Sequence, residues 1–159
     1  MNKRIGLILV VFTCMLCGCA LQPKPRLAQY IPSEYESFLR GGTGSIEGQA
    51  FLVTMGGDVK VGAGREVRLN PVTTFSNEWY ARAVLHGENL EPAPDAVPPS
   101  HTTIADGDGR FRFGGLAAGD YYLMCNIFWA VNENRVTGGA AHAKVHVDEG
   151  KVTNAVVTR

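Results

Sequence analysis

The stretch "TIADGDGRFRFGGLAAGDYYL", residues 103–123, decides how the rest of the chain is read. Phe111 and Phe113 alternate with Arg110 and Arg112, the period-two pattern of a strand with one face in a core and one in water. Before it stands an acidic, glycine-containing turn, Asp106 to Gly109; after it a second glycine-rich turn leads into "DYYLMCNIFWAV". That segment places Tyr121, Leu123, Cys125, Ile127, Trp129 and Val131 on one parity, an unbroken apolar face. Its other parity mixes Tyr122, Met124 and Phe128 with Asp120 and Asn126. Asp106 and Asp108 also echo the start of a calcium loop, but the chain continues "GRFRF" without the later oxygen ligands or the closing glutamate, so a hairpin turn is the stronger reading.

Outward from that stretch the pattern repeats. In "SIEGQAFLVT", Ile46, Gly48, Ala50 and Leu52 share one parity and Ser45, Glu47 and Gln49 the other; "REVRLNP" sets Val67 and Leu69 against Glu66 and Arg68. "HAKVHVDEGKVTNAVV" closes the chain as an expected hairpin, with Val145 and Val147 inside and Glu149 and Gly150 at the turn. Short strands, glycine-rich turns and no alternation with helices predict an all-β fold, an antiparallel sandwich of about seven strands. Residues 72–100 break the rhythm. "TFSNEWYARAVLHGENL" is expected to be helical, with Phe75, Trp79 and Arg82 stacked on one side, and "EPAPDAVPPSH" is too proline-dense for a helix or a central strand. This insertion is expected to lie over the mixed face, covering Tyr122 and Phe128. It either binds a ligand or only packs, and both readings stand.

The start of the chain is of another kind. Lys3 and Arg4 precede an apolar run, "IGLILVVFTCML", too short to span a bilayer, and small residues follow, the pattern of an export signal. Three of the four cysteines, Cys14, Cys17 and Cys19, crowd into this region, where a disulfide would close almost no loop. Removing residues 1–18 leaves 13 basic against 15 acidic residues with no basic cluster, so the electrostatic footprint of a nucleic-acid binder is missing and no nucleic-acid partner is expected. Cys125 then remains as a lone thiol in apolar surroundings, a structural residue. "ALQPKPRLAQYIP" should be an extended tether letting the domain stand off by up to about 40 Å. "SEYESFLRGG" reads as a short helix with Ser33 as N-cap, Glu36 as capping-box partner and Gly41 as stop. Tyr35, Phe38 and Leu39 on its one face either dock onto the domain or meet a partner. About 115 residues after Gly44 suffice for one core.

Two resemblances add to this. "LCGC", Leu16 to Cys19, resembles the lipobox of bacterial lipoproteins, with Leu16 and Gly18 in the expected places. The resemblance implies a diacylglyceryl thioether on Cys19, cleavage before it and acylation, by a palmitate-type chain, of the new amino terminus. Ala20, rather than aspartate, implies an outer-membrane anchor facing the periplasm. From Gly44 onward, "GSIEGQAF", "VRLNP" and above all residues 103–123 resemble the carboxypeptidase regulatory-like domain, a prealbumin-like (transthyretin-like) sandwich. Asp106, Gly109, Phe111, Phe113, Leu116, Gly119, Tyr121 and Leu123 fill that family's positions, with Ala117 where proline is common. The division expected is a signal peptide over 1–18, a lipidated tether with a short helix over 19–43, and the sandwich over 44–159.

Function is narrowed mostly by exclusion. No H-x-x-E followed by a distant histidine, as a carboxypeptidase set requires, occurs, nor does a G-x-S-x-G, Walker A or dinucleotide-binding pattern, and the H-G-E of His86 and Glu88 lacks a following P-C-x-x-C. His142 and His146 share a face with Lys144 between them, which disfavours a metal. A constellation of His86, Glu88 and His101 rests on residue types without spacing. The expectation is therefore a non-enzymatic periplasmic binding or envelope-assembly module without metal or cofactor, its partner an envelope protein. The alternative is a carbohydrate-binding lipoprotein, whose sugar would stack on Trp79, Tyr80, Tyr122 and Trp129 if at least two of those rings were exposed and coplanar.

Overall fold

The computed structural model describes residues 22–159. The signal segment over 1–18 and the acylation site Cys19 lie outside the described residues. Eight strands follow in order: β1 (Gly44–Val53), β2 (Val59–Val61), β3 (Glu66–Pro71), β4 (His101–Ile104), β5 (Arg110–Leu116), β6 (Gly119–Asn132), β7 (Arg135–Val147) and β8 (Val152–Val157). The strand beyond the seven expected is β2. One sheet is built on β1, which pairs with β5, with the short β2 and with β8; the other runs β4-β3-β6-β7. The sheets pack face to face as the alternation requires. Ile46, Ala50 and Leu52 from β1, Val67 and Leu69 from β3, Phe111 and Phe113 from β5, and Tyr121, Leu123, Cys125 and Ile127 from β6 make one core. Trp129 packs against its margin and Val131 stands outside it, so the apolar face of β6 is buried only as far as its neighbours reach.

Three expectations need correction. The chain does not end in a hairpin. β7 belongs to the second sheet, and β8 crosses over to pair in parallel with β1, from Ser45 opposite Val152 to Ala50 opposite Val157. The turn at Glu149 and Gly150 is real, but it is an arch between sheets. β8 takes the side of β1 that β5 leaves open, and the open edge of β7 meets the end of the chain only at the His142–Thr158 bridge. Glu149 anchors the arch by accepting from Thr43 N at 2.9 Å and Thr43 Oγ1 at 2.7 Å.

β7 also begins earlier than the residues suggest, because "TGGAA" looks like a loop. Gly138 sits at φ 142°, and a Cβ there would collide with the carbonyl oxygen of Ile127, so only glycine lets the two strands approach. β3 pairs with β6 only as far as Cys125, so the rest of the β6–β7 hairpin projects as a two-stranded ribbon.

The third correction concerns the tether and its helix. The helix is a 3-10 turn, Pro32–Glu34, followed by the single α-turn α1, Glu36–Leu39, and no side chain caps either. Pro32, with its fixed φ, opens the turn one residue before Ser33. The Glu34 carboxylate goes instead to Thr74 N and Oγ1, both at 2.7 Å. Tyr35 is buried and Phe38 packs edge-on against Tyr121 with centroids 5.3 Å apart, while Leu39 is exposed, so the segment docks. Upstream the chain is extended but not free. Lys24 bridges to Leu90, its N–H donates to Asn89 O at 2.7 Å, and Leu27 and Ala28 donate to the Glu78 carboxylate at 2.7 and 3.1 Å.

Candidate functional site

The insertion begins where β3 ends. Thr73 caps α2 (Thr74–Trp79), with Ser76 returning the bond to the Thr73 N–H, and the helix continues as a π-helical stretch, Tyr80–Leu85. Phe75 is buried, Trp79 is half-buried, and Arg82 turns to Glu78 and Glu88 rather than extending an aromatic row. The widened turn at Tyr80 rotates that ring onto the sheet. Tyr80 stacks on Tyr122 with centroids 3.9 Å apart and planes 10° apart, and its hydroxyl lies 2.8 Å from His142 Nδ1. Tyr122 donates in turn to Asn77 Oδ1 at 2.8 Å. The insertion therefore covers the outer face of β6 at Tyr122, as expected. It does not reach Phe128, which is 45 % exposed on the ribbon.

This arrangement breaks up the four-ring platform: the two coplanar rings are stacked on each other rather than exposed, so the condition set for a sugar held across these four rings is not met. Tyr122 is 8 % exposed, and one face of Tyr80 is spent on it. Burial, with Tyr122 beside it, raises the Tyr80 hydroxyl above its ordinary pKa, and burial together with Arg159 lowers that of His142. Both shifts favour a neutral imidazole accepting the tyrosine proton. Trp129 sits opposite Thr137 on the ribbon, away from the insertion. Of the four rings, Trp79 lines a cleft.

That cleft, about 470 Å³, is the site the fold builds. Its floor is the outward parity of β3, Arg68 and Asn70; one wall is Phe75, Ser76 and Trp79 of α2; the opposite wall is the proline-rich loop over residues 93–100. Ser100 Oγ donates to Asn70 Oδ1 at 2.6 Å, which fixes the carboxamide plane and so the direction of its N–H donors. The stalk closes the end. Arg26 lies over the Phe75 ring, 4.8 Å from its centroid, and donates from Nε to Glu91 O at 2.9 Å. Burial pulls the Arg26 guanidinium below its ordinary pKa, partly offset by the nearby Glu78. An apolar ring wall facing a few oriented polar groups is the usual make-up of a small-molecule site, and the volume lies in that range.

Sequence reasoning found Trp79 and missed Arg26, Arg68, Asn70 and Ser100. Outward parity on β3 was the available signal, since an insertion leaving that strand must lie over its outer face.

The other candidates separate. His86 and His101 are exposed, and Glu88 is taken by Lys24 at 3.0 Å and Arg82 at 2.8 Å. No group of three or more His, Cys, Asp or Glu side chains could hold a metal among the described residues. Asp106 spends Oδ1 on the N–H groups of Asp108 and Arg110, at 2.9 and 2.8 Å, closing its hairpin turn. His146 and Lys144 both reach Asp120, at 2.7 and 3.2 Å. A shallow trough along the outer faces of β1, β5 and β8 offers Glu47, Gln49, Arg110 and Arg112 but no exposed ring.

The fold defines the class, a two-sheet β-sandwich carrying an insertion over one outer face. No protein-family model matches the chain, and no curated protein matches it. Among solved structures it is similar to a Pseudomonas aeruginosa protein described as a candidate carbohydrate-binding protein. Identity there is 23 %, coverage 82 % of this chain and 98 % of the other, and the TM-score 0.67. It is also similar to the minor pilin GBS52 of Streptococcus agalactiae, at 16 % identity, with 74 % of this chain and 44 % of that one covered and a TM-score of 0.40. The major pilin subunit BcpA of Bacillus cereus gives 14 % identity, 74 % and 29 % coverage, and a TM-score of 0.42. The chain spans less than half the length of either pilin. At these identities the likeness is one of fold.

Proposed function

We propose that the chain is a lipid-anchored, non-enzymatic binding module of the bacterial envelope that holds a glycan in the cleft beside Trp79. The observation that carries this is the cleft itself: a half-buried indole facing Asn70, Ser100 and Arg68, polar groups whose planes are held by neighbouring bonds. Sugar rings present C–H faces to aromatic rings and hydroxyl edges to such groups. A protein of the same fold carries a carbohydrate-binding description, and the resemblance to carboxypeptidase regulatory-like domains also points to binding rather than catalysis. Both are likenesses of fold, and function resides in the site.

Acylation of Cys19 would tether the module. With residues from Lys24 onward clasped to the insertion, the first pinned residue stands only five positions after that cysteine, a reach of about 17 Å rather than 40 Å. The cleft would therefore work close to the lipid headgroups. Titration calorimetry with oligosaccharides released from envelope polysaccharide tests the reading. Trp79→Ala should weaken binding at least about 10-fold, given the area and stacking that a half-buried indole offers a ligand. Absence of binding to the whole panel, or an unaffected variant, refutes it. Mass spectrometry of the mature protein tests the anchor, and Cys19→Ser should abolish the acyl mass.

One observation favours a second reading, an envelope-protein partner. The ribbon exposes Phe128 and Val136 on one face. Crosslinking in cells from the ribbon, recovering a reproducible protein partner, would support it.

A further inference from the structure

Resting on the glycan reading of the cleft, we infer that the ligand is an acidic sugar whose carboxylate is read by Arg26 and Arg68. Three charged side chains line the cleft, and Asp95 sits on the exposed tip of the proline-rich loop, so the interior is positive. Arg68 is held at 2.6 Å by Glu66, two residues along the same strand and on the same outer parity. Both side chains are about half exposed, and such a pair is held weakly in water, so a ligand carboxylate can exchange for Glu66.

Arg26 is the more telling group. Among the described residues, its Nη1 is the one buried side-chain nitrogen or oxygen without a hydrogen-bond partner. The nearby Glu78 carboxylate, which accepts from Leu27, Ala28 and Arg82, makes no hydrogen bond to it. A buried charged donor left unmade is costly, and native structures seldom keep one without a reason. The guanidinium is tied only by its Nε bond to Glu91 O and by the Phe75 ring. A small rotation therefore presents the fork to the cleft, where a planar carboxylate can accept two parallel N–H bonds. A neutral hydroxyl could take one of those bonds but leaves the charge uncompensated.

Arg26 belongs to the stalk, so ligand and stalk are linked. A ligand that needs Arg26 in place stabilises the clasped stalk by mass action, and a clasped stalk presents the site.

The test uses the full chain as the cell produces it, with a panel of uronic-acid oligosaccharides and the same oligosaccharides after reduction of their carboxyl groups to alcohols. The expected result is at least 10-fold tighter binding of the acidic forms, reduced about 10- to 100-fold by Arg26→Met, with the residual affinity matching the reduced sugars. Because Arg26→Met removes a buried contact, Arg68→Met, on the exposed face of β3, is run beside it and should also narrow the preference. The acidic ligand should slow tryptic cleavage after Arg26. Equal or tighter binding of the reduced forms overturns the inference while the glycan reading stands. Preference unchanged in both variants, or no protection of the Arg26–Leu27 bond, also overturns it. If neither form binds, the glycan reading itself fails and the inference with it.

Discussion

The clasp of the stalk onto the insertion is the feature most at odds with the composition of the segment, and Glu78→Gln tests it directly. The Glu78 carboxylate, 8 % exposed, accepts from the backbone of Leu27 at 2.7 Å and Ala28 at 3.1 Å and also engages Arg82. Burial pushes that carboxyl up, yet those donors together outweigh it and hold it below its ordinary value. Glutamine keeps the shape but removes the charge, and its amide nitrogen must face one of the donors. Hydrogen bonds to charged groups contribute about 1.5–3 kcal/mol each, and one donor becomes unsatisfied, so the clasp should lose about 2–3 kcal/mol. A loss of that size raises the open population roughly 30- to 150-fold.

The Arg26–Leu27 bond reports on the opening, because trypsin cuts there and Pro25 shields Lys24. When opening is fast relative to cleavage, the rate follows the open population, so cleavage should accelerate by the same factor. Urea unfolding of the sandwich should move far less, since Glu78 lies outside the hydrophobic core cluster. Cleavage unchanged in Glu78→Gln would mean the stalk is not held by this carboxylate, and the argument for a short reach would fall. A parallel rise in the open population of the wild type is expected as pH falls below about 4.5, where the charge that the clasp needs is progressively titrated; it is read as lost hydrogen-exchange protection of the Leu27 and Ala28 amides.

Other outcomes follow from the packing. A Cβ at Gly48 would stand 2.6 Å from the carbonyl oxygen of Ala155 and 2.6 Å from Phe111 Cζ, so Gly48→Ala should cost about 1–3 kcal/mol, read as a lower urea midpoint at unchanged slope. An unmoved midpoint would show that β1 can yield. Cys125 is buried, and desolvation lifts its thiol to about 11 despite Arg65, so it should resist a disulfide reagent in the native state and react only on unfolding; rapid native labelling would contradict its place in the core. His142 is the reverse of a charge-gaining histidine. Its folded pKa lies below the ordinary 6.5, so its contribution is intact above that pH and falls away as pH drops through the folded value. His142→Asn, which keeps an acceptor for Tyr80, should remove that step from the stability profile, and a step unchanged in the variant would place its origin elsewhere.

What could be read without coordinates divides along one physical line. A period of two reports whether a side chain faces a core, and every strand that has a core on one side, from Ile46 to Ile127, was readable for that reason. Hydrogen-bond partners of an edge carry no such mark. Val152–Val157 alternates identically whether it pairs back onto β7 or across to β1, and both strands offer it an open edge, so alternation leaves the choice unmade. Parity is equally silent about what lies on the outward side: Arg68 and Asn70 are polar and outward, which describes a solvated face and a ligand-lined one alike. The insertion and the stalk turn that face into a third layer. They are held there by Tyr80 on Tyr122, by Glu34 on Thr74 and by Glu78 on two stalk amides, contacts that span dozens of residues and repeat with no period. A site between a second and a third layer must therefore be invisible to alternation. The surest trace it can leave in a sequence is polar residues on a strand that runs straight into a long insertion, which is where Asn70 and Pro71 stand.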